Sequence, residues 1–330
     1  MTEKPKTFGD YLNVHNVSRR SFLKFCGIMA GTLALPLAYA DKIATALAAA
    51  ARLPVVWLEF QDCTGDSESF LRAGPHPDPL NNGKTDPGLV DLLLDYVSLD
   101  YHETLMVPAG AASEKSLADT LANKAGQYVV VVEGSIPTAA NGAYCTIRGR
   151  TALSIAQEVI GKAKATIAVG SCAWDGGLAS AAPNPTGAVG VQQAVPNAPN
   201  LINLPGCPAN VVNVVACLVN YLTFGAWPTL DSTSKRPLFA YGQEIHEHCE
   251  RHQYYESHQF VQAWGDAGHR AGWCLFQMGC RGPRARANCN VVRWNDGTGW
   301  PIGAGHGCIA CTTSHFWDNQ KNFYVALSDD

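Results

Sequence analysis

The sequence predicts an α/β protein with a parallel sheet, followed by a unit poor in regular structure. Three observations predict it. From Pro54 onward, strand-like apolar runs alternate with helix-like amphipathic runs, which implies a parallel sheet covered on both faces. Three of the strand-like runs lead into a cysteine, and two of these cysteines lie in glycine-bearing loops. After Pro237 the periodicity fades, while cysteine, histidine, tryptophan and glycine become frequent.

Each element follows from its residues. PVVWLEF (54–60) reads as a buried strand. The apolar GLVDLLLDY segment (88–96) reads as helical, and SLDYHETL (98–105) as a second strand. SEKSLADTLANKA (113–125) is helical, and QYVVVVEG (127–134) is the clearest strand. TALSIAQEVIGKA (151–163) is an amphipathic helix and ATIAVGS (165–171) a strand. LINLPG (201–206) is a short strand ahead of the helical ANVVNVVACLVNYLTFG (209–225). Cys63, Cys172 and Cys207 follow the strands at 54–60, 165–171 and 201–206. Ligands of open α/β sheets bind outside the carboxyl ends of strands, so these residues are expected to converge at one edge. Glycines in GSCAWDGG and PGCP allow close approach of backbone to a bulky group.

The N-terminus has its own signature. Ser18-Arg19-Arg20-Ser21-Phe22-Leu23-Lys24 precedes a Gly/Ala-rich apolar run of about 15 residues, short for a bilayer span. It resembles a twin-arginine export signal, with cleavage expected near Ala48 after the small residues of ATALAAA. An N-terminal membrane anchor is the alternative. Cleavage removes Cys26 and leaves eleven of the twelve cysteines. That route exports folded proteins, which suits a protein loaded with a cofactor beforehand. The C-terminal FWDNQKNFYVALSDD offers no apolar anchor.

Composition narrows the classes. A net charge of −4 and a pI near 6.2 give no sign of a nucleic-acid partner. Charged residues make up 16%, against about 25% in an average domain; either the apolar N-terminus dilutes them or much of the surface is covered by a partner. Twelve cysteines in 330 residues are too few for a small disulfide scaffold and too many for casual core use. An odd number left after export also argues against a disulfide-rich secreted protein. No internal repeat is visible. The expected organisation is a signal peptide (1–48), an α/β domain (49–236) and an irregular domain (237–330) that needs cross-links from bound inorganic groups.

The irregular domain carries His246 and Cys249 in HEHC, Cys274 and Cys280 in WCLFQMGC, Cys289 in NCN, and Cys308 and Cys311 as a C-x-x-C pair. Thiolate ligands limit the choice to zinc, copper or iron–sulfur. Six cysteines and a histidine divide poorly into Cys-only zinc sites, and well into one four-ligand and one three-ligand cluster. His248 and His252 read as surface or exit-path residues. Cys145 and Cys217 read as inert thiols.

CTGDSESFLRA, SLDYHETLM, GSCAWDGG, LPGCP, HEHC, CLFQMGCRGP and WNDGTGWPIGAGHGCIACT occur in this order. On these motifs the chain resembles the small subunit of nickel–iron hydrogenases along essentially its whole mature length. The resemblance implies a flavodoxin-like N-terminal domain and an irregular, iron–sulfur-stabilised C-terminal domain. It implies a proximal 4Fe–4S cluster on Cys63, Cys172 and Cys207 with Asp66 at the fourth position. A distal 4Fe–4S cluster would take His246, Cys249, Cys274 and Cys280, and a medial 3Fe–4S cluster Cys289, Cys308 and Cys311. Pro301 stands where a fourth medial ligand could otherwise be. The reaction implied is H₂ ⇌ 2H⁺ + 2e⁻ at a nickel–iron centre in an obligate large subunit. Electrons would pass to a cytochrome or quinone-linked acceptor, outside the cytoplasmic membrane, after passage through the twin-arginine machinery. A complex-I-like quinone-reductase subunit and a zinc-stabilised exported binding protein are the rival readings.

Asp66 leaves two readings open. It either completes the proximal ligand set, or caps the helix that follows and leaves water on the fourth iron. Some family members tolerate oxygen through two extra cysteines at positions that correspond to Gly65 and Gly177; that device is absent here. Other members, actinobacterial-type enzymes among them, carry Asp at the proximal position, so oxygen tolerance by another route is expected.

Overall fold

The computed structural model describes residues 19–50, 52–72, 97–295, 297–320 and 322–327, with the backbone of 76–77 and 85–86. The helix expected over 88–96 lies outside the described residues. Five strands make the central sheet: β1 (Leu53–Glu59), β2 (Val97–His102), β3 (Val129–Glu133), β4 (Ala165–Val169) and β5 (Leu201–Leu204). All pairings are parallel, in the order β2-β1-β3-β4-β5. This is the flavodoxin-like order, whose switch point lies between β1 and β3.

The valine run of β3 is buried throughout, as a strand covered on both faces requires. Alternation sends Val55, Trp57, Val129 and Val131 into one core, and Val56, Leu58, Val130 and Val132 into the other. The second core is closed by α4 (Ala111–Asn123) and α5 (Ala152–Gly161). The labels α1 (Arg19–Thr32), α2 (Tyr39–Ala49), α3 (Gly65–Leu71), α6 (Gly170–Asp175) and α7 (Val211–Phe224) complete the set used below. Core one is closed by α1, α2 and α7.

Local signals explain the boundaries. Thr151 caps α5 by accepting from Ser154 N at 3.2 Å, and Asn210 caps α7 by accepting from Val212 N at 3.0 Å. Gly225, at φ +67°, ends α7. Two expected strands end early. The segment 165–171 is strand only to Val169, because Gly170 turns at φ +80° into α6. The segment 98–105 stops at His102, whose ring Nδ1 accepts from the Thr104 and Leu105 amides.

Beyond Pro237, only short helical turns occur among the described residues. This half does not build a core alone: Ile245, Val261, Leu275, Ala285, Trp300 and Ile302 join the core on the α7 side. Side chains stitch the halves together. Asn213 and Asn288 exchange amide hydrogen bonds at 3.0 and 2.9 Å, and Tyr241 Oη donates to Pro205 O at 2.8 Å.

Candidate metal centres

At the carboxyl edge of the sheet, Cys63 follows β1, Cys172 sits in the first turn of α6, and Cys207 follows β5. The strand-order reversal brings them together. Burial comes first, then the charges of Cys311, Cys172, Asp66 and Cys63, in pushing the Cys207 thiol up to about 12. Cys172 is likewise raised to about 11, by burial and then by Asp66 and Cys63 against a backbone hydrogen bond. Thiols that resist ionisation this strongly need a positive centre to become ligands.

Asp66 does not cap α3. Thr64 occupies the cap position without a side-chain bond, and Asp66 lies inside the helix. Its Oδ1 accepts from Ala209 N at 2.6 Å, across to the loop that holds Cys207. Burial, then the charge of Glu133, raises its carboxyl to about 8. The capping alternative is therefore set aside. A Cβ on Gly170 would stand 2.1 Å from Asp66 Oδ2, so only glycine lets the carboxylate reach this position. A Cβ on Gly65 would meet Cys63 Sγ at 3.0 Å, and one on Gly177 would meet Cys172 Sγ at 2.7 Å. Both glycines therefore flank thiols at this edge of the sheet.

Residues not singled out in the sequence build the floor of this site. Glu133, fully buried at the end of β3, accepts from Asp66 N at 2.9 Å, Ser67 N at 3.1 Å, Ser67 Oγ at 2.5 Å and Trp57 Nε1 at 3.0 Å. It serves α3 as a cap from a distant strand, a charge-assisted arrangement at a helix N-terminus. Register sets Glu59 directly beside Glu133. Burial, then Glu133 and Asp62, push Glu59 up to about 7. Ser67 Oγ lies 3.2 Å from His102 Nε2, and burial holds that imidazole down at about 4. The available signal was a glutamate closing each of two otherwise apolar strands.

In the C-terminal half, His246, Cys249, Cys274 and Cys280 line one cavity, with Arg251, His252, Leu275, Gly282 and Ile302. Backbone amides aim at its sulfurs: Arg251 N to Cys249 Sγ at 3.4 Å, and Gly282 N and Cys308 N to Cys280 Sγ at 3.4 and 3.3 Å. His252 packs edge-on to His246, with ring centroids 4.8 Å apart. Cys289, Cys308 and Cys311 form a third group. Burial, then Cys311, raises Cys289 to about 12, and Cys308 is raised by burial, then by Cys280, Cys311 and Cys289. Pro301 is exposed, and its carbonyl accepts from His306 N at 2.8 Å.

The groups are chained. After burial, the charge of Cys311 is the largest influence on the Cys207 thiol, and Cys308 N donates to Cys280 Sγ at 3.3 Å. Ser171 bridges as well, donating to Cys311 O while accepting from Gly206 N at 3.1 Å. Cys217 is fully buried in α7 and belongs to the core on that side of the sheet, whereas Cys145 packs against the second core.

Fold and site together define a class: a flavodoxin-like domain with soft-metal ligands at its carboxyl edge, joined to a sulfur-rich irregular domain. A profile for the C-terminal part of the NiFe/NiFeSe hydrogenase small subunit matches residues 241–324, and one described as NADH ubiquinone oxidoreductase, 20 Kd subunit, matches 63–221. The chain is 44% identical to the periplasmic [NiFe] hydrogenase small subunit 1 of Nitratidesulfovibrio vulgaris, over 93% of each chain. It is 40% identical to the uptake hydrogenase small subunit of Azotobacter vinelandii, over 98% of this chain and 86% of that one. The structure of the Ni-Fe-Se hydrogenase from Desulfomicrobium baculatum in a reduced, active form superposes with a TM-score of 0.74. It is 31% identical over 84% of this chain and 100% of that one. The chain belongs to the nickel–iron hydrogenase small-subunit family, the iron–sulfur-binding, electron-transferring half of a heterodimeric hydrogenase. The quinone-reductase match covers the α/β half, and the C-terminal profile decides between the two. Among the described residues, no helix is long and apolar enough to cross a membrane.

Proposed function

We propose that this protein holds three clusters in a row: a proximal 4Fe–4S, a medial 3Fe–4S and a distal 4Fe–4S. The ligands are Cys63, Asp66, Cys172 and Cys207; Cys289, Cys308 and Cys311; and His246, Cys249, Cys274 and Cys280. The observation that carries this reading is the run of contacts from the Cys207 loop through Ser171 to Cys311 O, and from Cys308 N to Cys280 Sγ, which supports a three-cysteine group lying between the other two. The donor set fits iron–sulfur: thiols of raised pKa, amides directed at sulfur, and a cavity with three cysteines and one imidazole. When bound, such clusters supply one-electron stations between a nickel–iron centre in the large subunit and an external acceptor.

This chain's residues set the conditions for that transfer. His246 contributes no charge where a fourth thiolate would, which favours a higher potential at the exit end. Asp66 is a harder donor than cysteine and favours oxidised iron. Amide N–H groups directed at sulfur stabilise negative charge on it. By the same reading, the protein works in the periplasm or on the outer membrane face after twin-arginine export, oxidises H₂ for a cytochrome or quinone-linked acceptor, and retains activity in air.

The test is copurification from the native host with nickel, iron and sulfide analysis and electron paramagnetic resonance. A nickel-containing partner, about eleven iron atoms and a three-iron signal in the oxidised enzyme are expected. Near-absence of iron and sulfide would overturn the reading. Aerobic electrochemistry checks oxygen tolerance: H₂-oxidation current lost in air as fully as in a four-cysteine relative rejects it.

A further inference from the structure

The predicted export leader does not lie outside the fold. Helices α1 and α2 pack on one another, and both pack on α7. Phe22, Cys26, Met29, Ile43 and Leu47 are each no more than 1% exposed and belong to the core on that side of the sheet. Tyr39 lies against Phe224 with ring centroids 6.0 Å apart, and Lys42 Nζ sits 4.7 Å over the Phe224 ring. The hairpin has a partner because α7 is predominantly apolar and buried on every side over 211–219, Asn213 alone being polar there, so its side away from the sheet needs a cover.

We infer that the folded domain masks its own export leader, and that release of the 19–49 hairpin from α7 presents the signal. This inference rests on the twin-arginine reading. Within the motif, Ser21 and Phe22 are buried while Arg20, Leu23 and Lys24 face out, so only part of the recognition sequence is accessible when docked. The expected cleavage region is held too: α2 runs to Ala49, and Leu47 beside Ala48 is 1% exposed. Helical, packed backbone is a poor protease substrate compared with an exposed loop. Docking buries apolar leader surface that would otherwise promote association, and it requires a completed α7, so the mask forms only on a folded domain.

Cys26 reports the docked state, because it is fully buried in α1. In the full-length chain, maleimide labelling of Cys26, resolved by mass spectrometry, is expected to be at least about tenfold slower than in the guanidinium-unfolded chain. Phe224→Ala and Tyr39→Ala should each speed Cys26 labelling while Cys217 stays protected. Cys26 labelling at the unfolded rate in the wild-type chain, with Cys217 protected, overturns the inference. A separate fusion of residues 1–52 to a folded reporter tests the export reading: Arg19→Lys with Arg20→Lys should abolish export. A reporter that stays inside with the wild-type leader rejects that reading, whatever Cys26 shows.

Discussion

Ser171 joins three loops that no single element controls. Its hydroxyl donates to Cys311 O and accepts from Gly206 N, and its amide donates to Gly206 O. Ser171→Ala leaves a buried carbonyl and amide without partners, so unfolding free energy should fall by roughly 1–3 kcal/mol, measured by denaturant titration. Iron content per chain should fall with it. Glu133→Gln replaces a charged acceptor of four donors with one that accepts less well. Its expected signature is a changed proximal-cluster resonance while the three-iron signal is retained.

Glu59 gives the residue scale a pH dependence. Its folded pKa, about 7, stands above the ordinary 4.5, so the folded state favours the protonated carboxyl. Its contribution is therefore fully present below pH 4.5 and is lost as pH rises to 7. Subtracting the Glu59→Gln stability profile from that of the wild type should leave a fall of roughly 2–3 kcal/mol across this window. A flat difference rejects it. His102, held at about 4, acts with the opposite sign, losing its contribution as pH falls from 6.5. The subtraction reports Glu59 together with the neighbours whose charges it shifts, Glu103 among them. The sequence signals each glutamate at the end of an apolar strand but not their pairing, since Glu59 and Glu133 lie 74 positions apart; parallel register makes them neighbours.

At the scale of elements, the turn from β4 into α6 decides where the Asp66 carboxylate can lie. Gly170 combines a φ of +80° with the contact to Asp66. Gly170→Ala should cost more than about 2 kcal/mol, from left-handed strain and a displaced carboxylate. Iron per chain should drop toward the value without the proximal set; full iron retention would contradict the closeness of this approach. The alternation of strands and helices was readable because each element repeats its period for several residues. Ends were less readable: 165–171 looked uniformly strand-like, and the glycine that breaks it differs from a strand glycine only through its tertiary neighbour.

For the whole molecule, the two halves differ in what holds them. The sheet domain buries two continuous apolar layers, whereas the half beyond Pro237 borrows its core from α7 and carries six cysteines. Removing iron by chelation under reducing conditions should raise hydrogen exchange across 245–311 by orders of magnitude while β3 and β4 stay protected. Equal loss of protection in both halves would mean that the clusters support the entire fold.

The sequence by itself determined the parallel α/β class, the family and the inventory of sulfur, imidazole and carboxylate donors, because period and motif are properties of short stretches. Tertiary structure decided which donors meet, that Asp66 reaches toward the Cys207 loop instead of capping its helix, that two strand-end glutamates form the floor of the site, and that residues 19–49 are part of the core. Those outcomes depend on strand order, register and the unsatisfied side of α7, which form only when distant segments are packed against one another.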